Sequence, residues 1–178
     1  MAELQVTVEG KAHQLPRPFT VIATQSPTAG FDGTYALPPA QPDRFMTRLS
    51  LGYPSAAAEA DLLASPPAPA LPSVAALDEV AEAVAAVSAV EARRPLLEYV
   101  VAILDATRRH PLSEAGASPR GGLMLFAAAR AHAALHGRDF VVPDDVQALA
   151  RPVLAHRIQT VPGAAAGAPA RPRDRHRD

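Results

Sequence analysis

The chain has no cysteine among its 178 residues. That excludes a disulfide framework, a thiolate metal site and a cysteine nucleophile. No apolar run approaches the roughly 20 residues that span a bilayer, and no signal-peptide pattern opens the chain. The expected location is therefore the cytoplasm, with no membrane partner. The formal net charge is −1, so no excess of one sign argues for nucleic acid as a partner. No GxxxxGK[ST] phosphate loop occurs, and no hydrophobic strand ends in paired acids that would hold a magnesium ion. No GxSxG nucleophile elbow is found. Proline, by contrast, is abundant: 19 residues, against an average usage of about 5%.

Apolar periodicity divides what remains. Residues 4–8 alternate apolar and polar, as a half-exposed strand does, and Glu9-Gly10-Lys11 turns the chain into a returning strand near Ala12–Leu15. Phe19–Ala23 is a short, β-branched apolar run, the signature of a strand buried on both faces. After a loop over residues 28–37, Pro38 suits the first position of a helix reaching about Leu49. Ser55 can cap a helix over Ala56–Ala64, and SPPAPALP at 65–72 breaks the chain again. Helical spacing then recurs over 77–90 (Leu77, Val80, Ala81, Val84, Val87) and over 94–109 (Leu96, Leu97, Val100, Val101, Leu104). Ser118 and Pro119 open a further helix carrying Leu123, Phe126, Ala127, Arg130 and Ala134, stopping near Gly137. A last helix starts at Pro143 with Asp144 and Asp145 in its first turn and runs towards Ile158, with a kink expected at Pro152. Residues 161–178 lack periodicity and read as a disordered tail.

Fifty residues with one buried strand cannot form a two-faced parallel sheet on their own. The expected architecture is an incomplete α/β piece (1–54), a helical bundle (55–160) and the tail.

By residue type alone, few side chains demand a chemical role. Ser26 reads as a turn residue before Pro27. Arg44 reads as a surface arginine paired with Asp43 or Glu59. Arg120 stands in the first turn of its helix, where a cation opposes the dipole, so an anionic partner would suit it. Gly116, Gly121 and Gly122 beside it allow close approach of backbone or ligand. His132 and His136 are four apart on one helical face, but Ala133 replaces the glutamate that HExxH requires, so no metal is assigned. Arginines 171, 173, 175 and 177 read as a solvated charge run.

Two blocks carry a family resemblance. Residues 18–54 contain Thr24-Gln25-Ser26-Pro27 and Leu37-Pro-Pro-Ala-Gln-Pro-Asp-Arg-Phe45, and residues 116–121 read Gly-Ala-Ser-Pro-Arg-Gly. Both are similar to segments of MoxR-type AAA+ ATPases, and the resemblance extends over about residues 1–160. It implies an α/β remnant of a P-loop core, comprising the sensor-1 strand and arginine-finger helix, followed by a mainly helical lid. It places Ser26 at the sensor-1 position, where the family usually has an asparagine that orients the attacking water. A hydroxyl lacks the separate donor and acceptor arms of that amide. It makes Arg44 the candidate arginine finger, with Arg48 as the fallback, and such an arginine can be worth about 10³–10⁵ in rate. Pro39 and Pro42 replace the family's Glu and Leu in this motif, and a proline inside a short helix would displace Arg44. Arg120 takes the sensor-2 position. The resemblance further implies ATP and Mg²⁺ as cofactors, a homo-oligomeric ring, and a chaperone-like role in assembly or metal-cofactor maturation with a von Willebrand A-domain partner. Because MAELQVTVEG matches an internal family segment, a truncated frame or a misplaced start is expected, inactive alone. A non-catalytic helical interaction module derived from the lid remains the alternative.

Overall fold

The structure is a computed structural model that describes residues 5–25, 41–64 and 71–161. Ser26, Pro39 and the expected tail from residue 162 lie outside the described residues.

Strand β1 (Gln5–Val8) and strand β2 (Lys11–Gln14) form an antiparallel hairpin in which Val8 faces Lys11. The two loop residues both have positive φ, 50° at Glu9 and 77° at Gly10. This backbone matches the right-handed twist of the strands, and glycine adopts it without a Cβ penalty.

The apolar run that follows departs from expectation. Residues 19–25 form no strand, and Ile22 is 88% exposed. The two sheets among the described residues are both two-stranded, β1 with β2 and a second pair described below, and neither borders this segment. A buried strand is held by neighbours on its edges and faces. With none beside it among the described residues, the run forms no ladder and stays exposed to solvent.

The helix expected over 38–49 is also absent from the described part of that range. Residues Pro42–Arg44 form a single 3₁₀ turn, and Phe45 is already extended. Pro42 therefore does not interrupt a helix. It stands at the start of the turn, where its missing N–H leaves no bond unmade.

The helical expectations fare better. Helices α1 (Ala56–Ala64), α2 (Leu77–Ala89) and α3 (Arg94–Arg109) occupy the predicted stretches. Leu96, Val100 and Leu104 form a buried stripe along α3, at i, i+4 and i+8. Helix α4 (Pro119–Leu135) begins where Ser118 caps it, and Gly137 follows at φ +69°. Its buried face differs from the one predicted. Leu125, Ala128, Ala129 and Ala133 face the core, whereas Leu123 is 72% exposed. A spine of small residues, Gly121, Gly122, Ala128, Ala129 and Ala133, lets neighbouring helices approach closely around the one large side chain buried on that face, Leu125.

Helix α5 (Pro143–Leu154) contributes Val146, Val153 and Leu154 to the same core. It gives way to a 3₁₀ turn at Ala155–Arg157 instead of running on to Ile158. Strand β3 (Ser113–Ala115) then pairs antiparallel with β4 (Gln159–Thr160), a closure that the sequence did not announce.

Asp145 anchors the α4–α5 corner. It is fully buried, yet Arg138 grips both carboxylate oxygens, at 2.5 and 2.6 Å. His132 Nδ1 lies 2.7 Å from Oδ1, and the Val142 N–H donates to Oδ2. The bonds from Arg138 hold the Asp145 carboxyl well below the usual carboxylate range, against the opposing effect of burial. His132 thus serves a structural carboxylate, and His136 Nδ1 lies 2.8 Å from the His132 carbonyl oxygen.

Candidate functional site

The site forms where the 42–46 turn meets the first turn of α4 and the end of α5. Three contacts fix the start of α4 against the end of α3. Thr107 Oγ1 accepts from the Ala117 N–H, and Arg108 Nε donates to the Ala117 carbonyl. Gly116 sits so near Arg108 that an added Cβ would meet its backbone at 2.6 Å. Ser118 then caps α4 by accepting from the Gly121 N–H at 3.2 Å.

The same hydroxyl reaches across to the turn. Ser118 Oγ donates to Asp43, 3.1 Å from Oδ1 and 3.4 Å from Oδ2. Asp43 also faces two guanidinium groups. Arg157 Nε lies 3.2 Å from Oδ1, and Arg120 Nη1 lies 4.0 Å from Oδ2. The arginines differ in setting: the Arg120 side chain is 51% exposed, that of Arg157 only 1%.

Arg157 sits at the end of α5, where backbone carbonyls lack helical partners and a cation suits the dipole. Its guanidinium donates to the carbonyls of Val153, Asp43, Phe45 and Met46. Burial pushes its pKa down, and Asp43 counters that shift. The Arg48 N–H satisfies another α5 carbonyl, that of Pro152, at 2.9 Å. His156 Nε2 lies 3.1 Å from the Phe45 carbonyl oxygen, while its Nδ1 is buried without a hydrogen-bond partner among the described residues. Burial is the main cause holding the His156 pKa below that of a free imidazole.

Gly121 makes room for this arrangement. A Cβ there would stand 2.9 Å from Arg157 Cδ. The close approach expected at the glycines is therefore used by protein groups: Arg157 at Gly121, Arg108 at Gly116 and Leu104 at Gly122.

Of the residues singled out from the sequence, Arg44 and Arg120 are brought to one neighbourhood through Asp43, the residue before Arg44. Arg44 is exposed, and its guanidinium has no ion-pair partner among the described residues; neither Asp43 nor Glu59 takes it up. Ser26 lies outside the described residues. Sequence reasoning missed Arg157 altogether. A lone arginine just past a helix end reads as a dipole complement, and only the acid beside Arg44 hinted that it had a distant partner.

These residues fit an anion better than a metal. Arg120 and Arg157 share one carboxylate, Asp43, which leaves positive charge where Arg120 is accessible. Among the described residues, no group of three His, Asp or Glu side chains is placed to hold a metal ion. Lys11, the chain's one lysine, stands on β2, away from any helix start. No described helix is long and apolar enough to cross a membrane.

Comparison with known proteins agrees with this geometry. Residues 1–47 match the ATPase family associated with various cellular activities (AAA), and residues 105–175 match the AAA lid domain. The uncharacterized protein YeaC of Bacillus subtilis (strain 168) is 45% identical over 168 residues, covering 92% of this chain and 52% of YeaC. The chaperone MoxR1 of Mycobacterium tuberculosis is 37% identical over 172 residues, covering 89% of this chain and 45% of that protein. A crystal structure of a candidate ATPase from Cytophaga hutchinsonii ATCC 33406 superposes with a TM-score of 0.81 at 30% identity. That superposition covers 92% of this chain and 53% of the other. The chain thus spans about half the length of the curated relatives it matches. Two matched segments that between them contain the Asp43 cluster, relatives named MoxR and a shared fold place this chain in the MoxR-type AAA+ ATPase family.

Proposed function

We propose that this chain supplies the arginine finger and the helical lid of an ATP-hydrolysing ring, and that it hydrolyses no ATP by itself. The observation that carries this reading is the Asp43 cluster. It seats an exposed Arg44, with no ion-pair partner among the described residues, and a half-exposed Arg120 on one frame. Bound ATP with Mg²⁺ would supply the γ-phosphoryl group, and phosphoryl transfer asks the protein mainly for positioning and charge neutralisation. Arg120 holds positive charge at a helix start, suited to the phosphates of its own subunit. Arg44 projects from the turn, suited to a neighbouring subunit's nucleotide at the moment charge develops. Ser26, at the sensor-1 position, would hydrogen-bond the attacking water. The amides and lysine of a phosphate loop must come from another polypeptide segment. The relative named a chaperone supports chaperone-like assembly as the ring's work, with a von Willebrand A-domain protein as partner.

A non-catalytic lid module is the second reading. It is favoured by the exposed apolar side chains Leu62, Leu63 and Leu77 on α1 and α2.

Phosphate release by the purified chain tests the first reading. With ATP and Mg²⁺ the rate should equal the protein-free background. Magnesium-dependent release that disappears in Arg120→Ala would contradict it.

A further inference from the structure

The geometry points to Arg157 as a positioning residue that clamps the Arg44-bearing turn onto the lid, so that Arg44 and Arg120 are carried by one body. The inference rests on the proposed finger role of Arg44 for its catalytic meaning only; the clamp is read from the contacts themselves.

Three observations carry it. First, the Arg157 guanidinium holds backbone as well as side chain. It donates to the Asp43, Phe45 and Met46 carbonyls, which bracket Arg44 on both sides, and pairs with the Asp43 carboxylate. Second, its anchor on the lid side is rigid. The side chain is 1% exposed, donates to the Val153 carbonyl at the end of α5, and lies across Gly121 in the first turn of α4. Third, Asp43 closes a circuit through Ser118, the cap of the helix that carries Arg120. The turn has little else to hold it. Outside the Arg157 and Asp43 contacts its described polar ties are its own 3₁₀ bonds, the Arg48 N–H to the Pro152 carbonyl, and His156 Nε2 at 3.1 Å from the Phe45 carbonyl oxygen.

A planar fork with five donors can serve several carbonyls and a carboxylate together; a lysine ammonium has three donors at one point. Lysine would keep the positive charge at the α5 terminus and lose the span. This separates a positioning role from a general stabilising charge.

The test is amide hydrogen exchange on the full 178-residue chain, comparing wild type with Arg157→Lys, Arg157→Met and Asp43→Asn. The reporters are the hydrogen-bonded amides of Arg44, Phe45 and Arg48, with the amides of α4 and α5 as internal reference. Exchange at the three reporters should rise at least tenfold in both Arg157 variants and by a smaller factor in Asp43→Asn, which keeps the carbonyl contacts. The reference amides should change less than twofold. Unchanged reporters would overturn the proposal. So would restoration of wild-type protection by lysine, or acceleration of reporters and references together, including outright unfolding of all three variants. No nucleotide enters the measurement. Failure of the clamp therefore leaves the finger assignment of Arg44 standing, and failure of the finger assignment leaves the clamp standing.

Discussion

Residues 94–161 and residues 5–25 carry similar apolar side chains and treat them in opposite ways. In the first region Leu96, Leu125, Val146 and Val153 are buried against one another across three helices. In the second, Phe19, Val21 and Ile22 are 40%, 41% and 88% exposed. The difference is not one of hydrophobicity. An amphipathic helix satisfies its own backbone and needs only a facing stripe, whereas a buried strand needs neighbours for its hydrogen bonds as well as its faces. The helical region contains its partners; among the described residues, the Phe19–Ala23 run has no strand beside it. Between them the 42–46 turn belongs by sequence to the second region and by contact to the first.

Limited proteolysis should expose this contrast on the largest scale. We expect a protected helical fragment beginning between about Pro54 and Ser73 and ending near residue 160, read by mass spectrometry of the digest. A protected fragment covering residues 1–54 would break the comparison.

Asp145 sharpens it energetically. Asp145 is the acceptor that satisfies the Val142 N–H and the Arg138 guanidinium at this corner, and leaving a buried donor without its partner typically costs about 1–3 kcal/mol. Asp145→Ala should therefore lower the unfolding free energy of the bundle by about that amount in urea titration. Ile22→Ser, at a site that is 88% exposed, should stay within about 0.5 kcal/mol. Equal effects would mean that the two regions share one core.

Acidification gives a smaller, graded effect. The His156 imidazole is held below its ordinary pKa, so the folded state favours the neutral ring. Its contribution is complete above the unfolded value of about 6.5 and is lost as pH falls from there through the folded value. Asp145 acts lower. Its depressed carboxyl contributes fully above about pH 4 and loses that contribution on further acidification. The melting temperature should decline from pH 7.5 to 5.5, and His156→Gln should flatten that decline. An unchanged slope in the variant would remove His156 as its source.

The sequence made the bundle legible because each helix advertises itself locally. Ser118-Pro119 announces a start, Gly137 a stop, and Leu96, Val100 and Leu104 a face. It misread α4 because alanine is a weak hydrophobic signal, although a small side chain is what close helix packing needs. It misread Phe19–Ala23 because a strand pattern carries no information about whether neighbours are present. It doubted Pro42 because the length of the turn was not visible; a proline that would break a long helix suits the start of a short one. Arg44 and Arg120 were found through motif resemblance. Arg157 was not, since its role arises from carbonyls more than a hundred residues away in the chain.

The most direct measurement concerns a restored enzyme in which a phosphate-loop half from a MoxR relative precedes this chain. Nucleotide affinity and turnover are measured for Arg44→Ala and Arg120→Ala. An interaction made only in the transition state lowers turnover without weakening binding. Arg44→Ala should retain wild-type affinity and lose about 10³-fold or more in turnover, whereas Arg120→Ala should weaken nucleotide binding within its own subunit. Equal loss of affinity in both variants, or full turnover in Arg44→Ala, would contradict the assignment of finger and lid arginines.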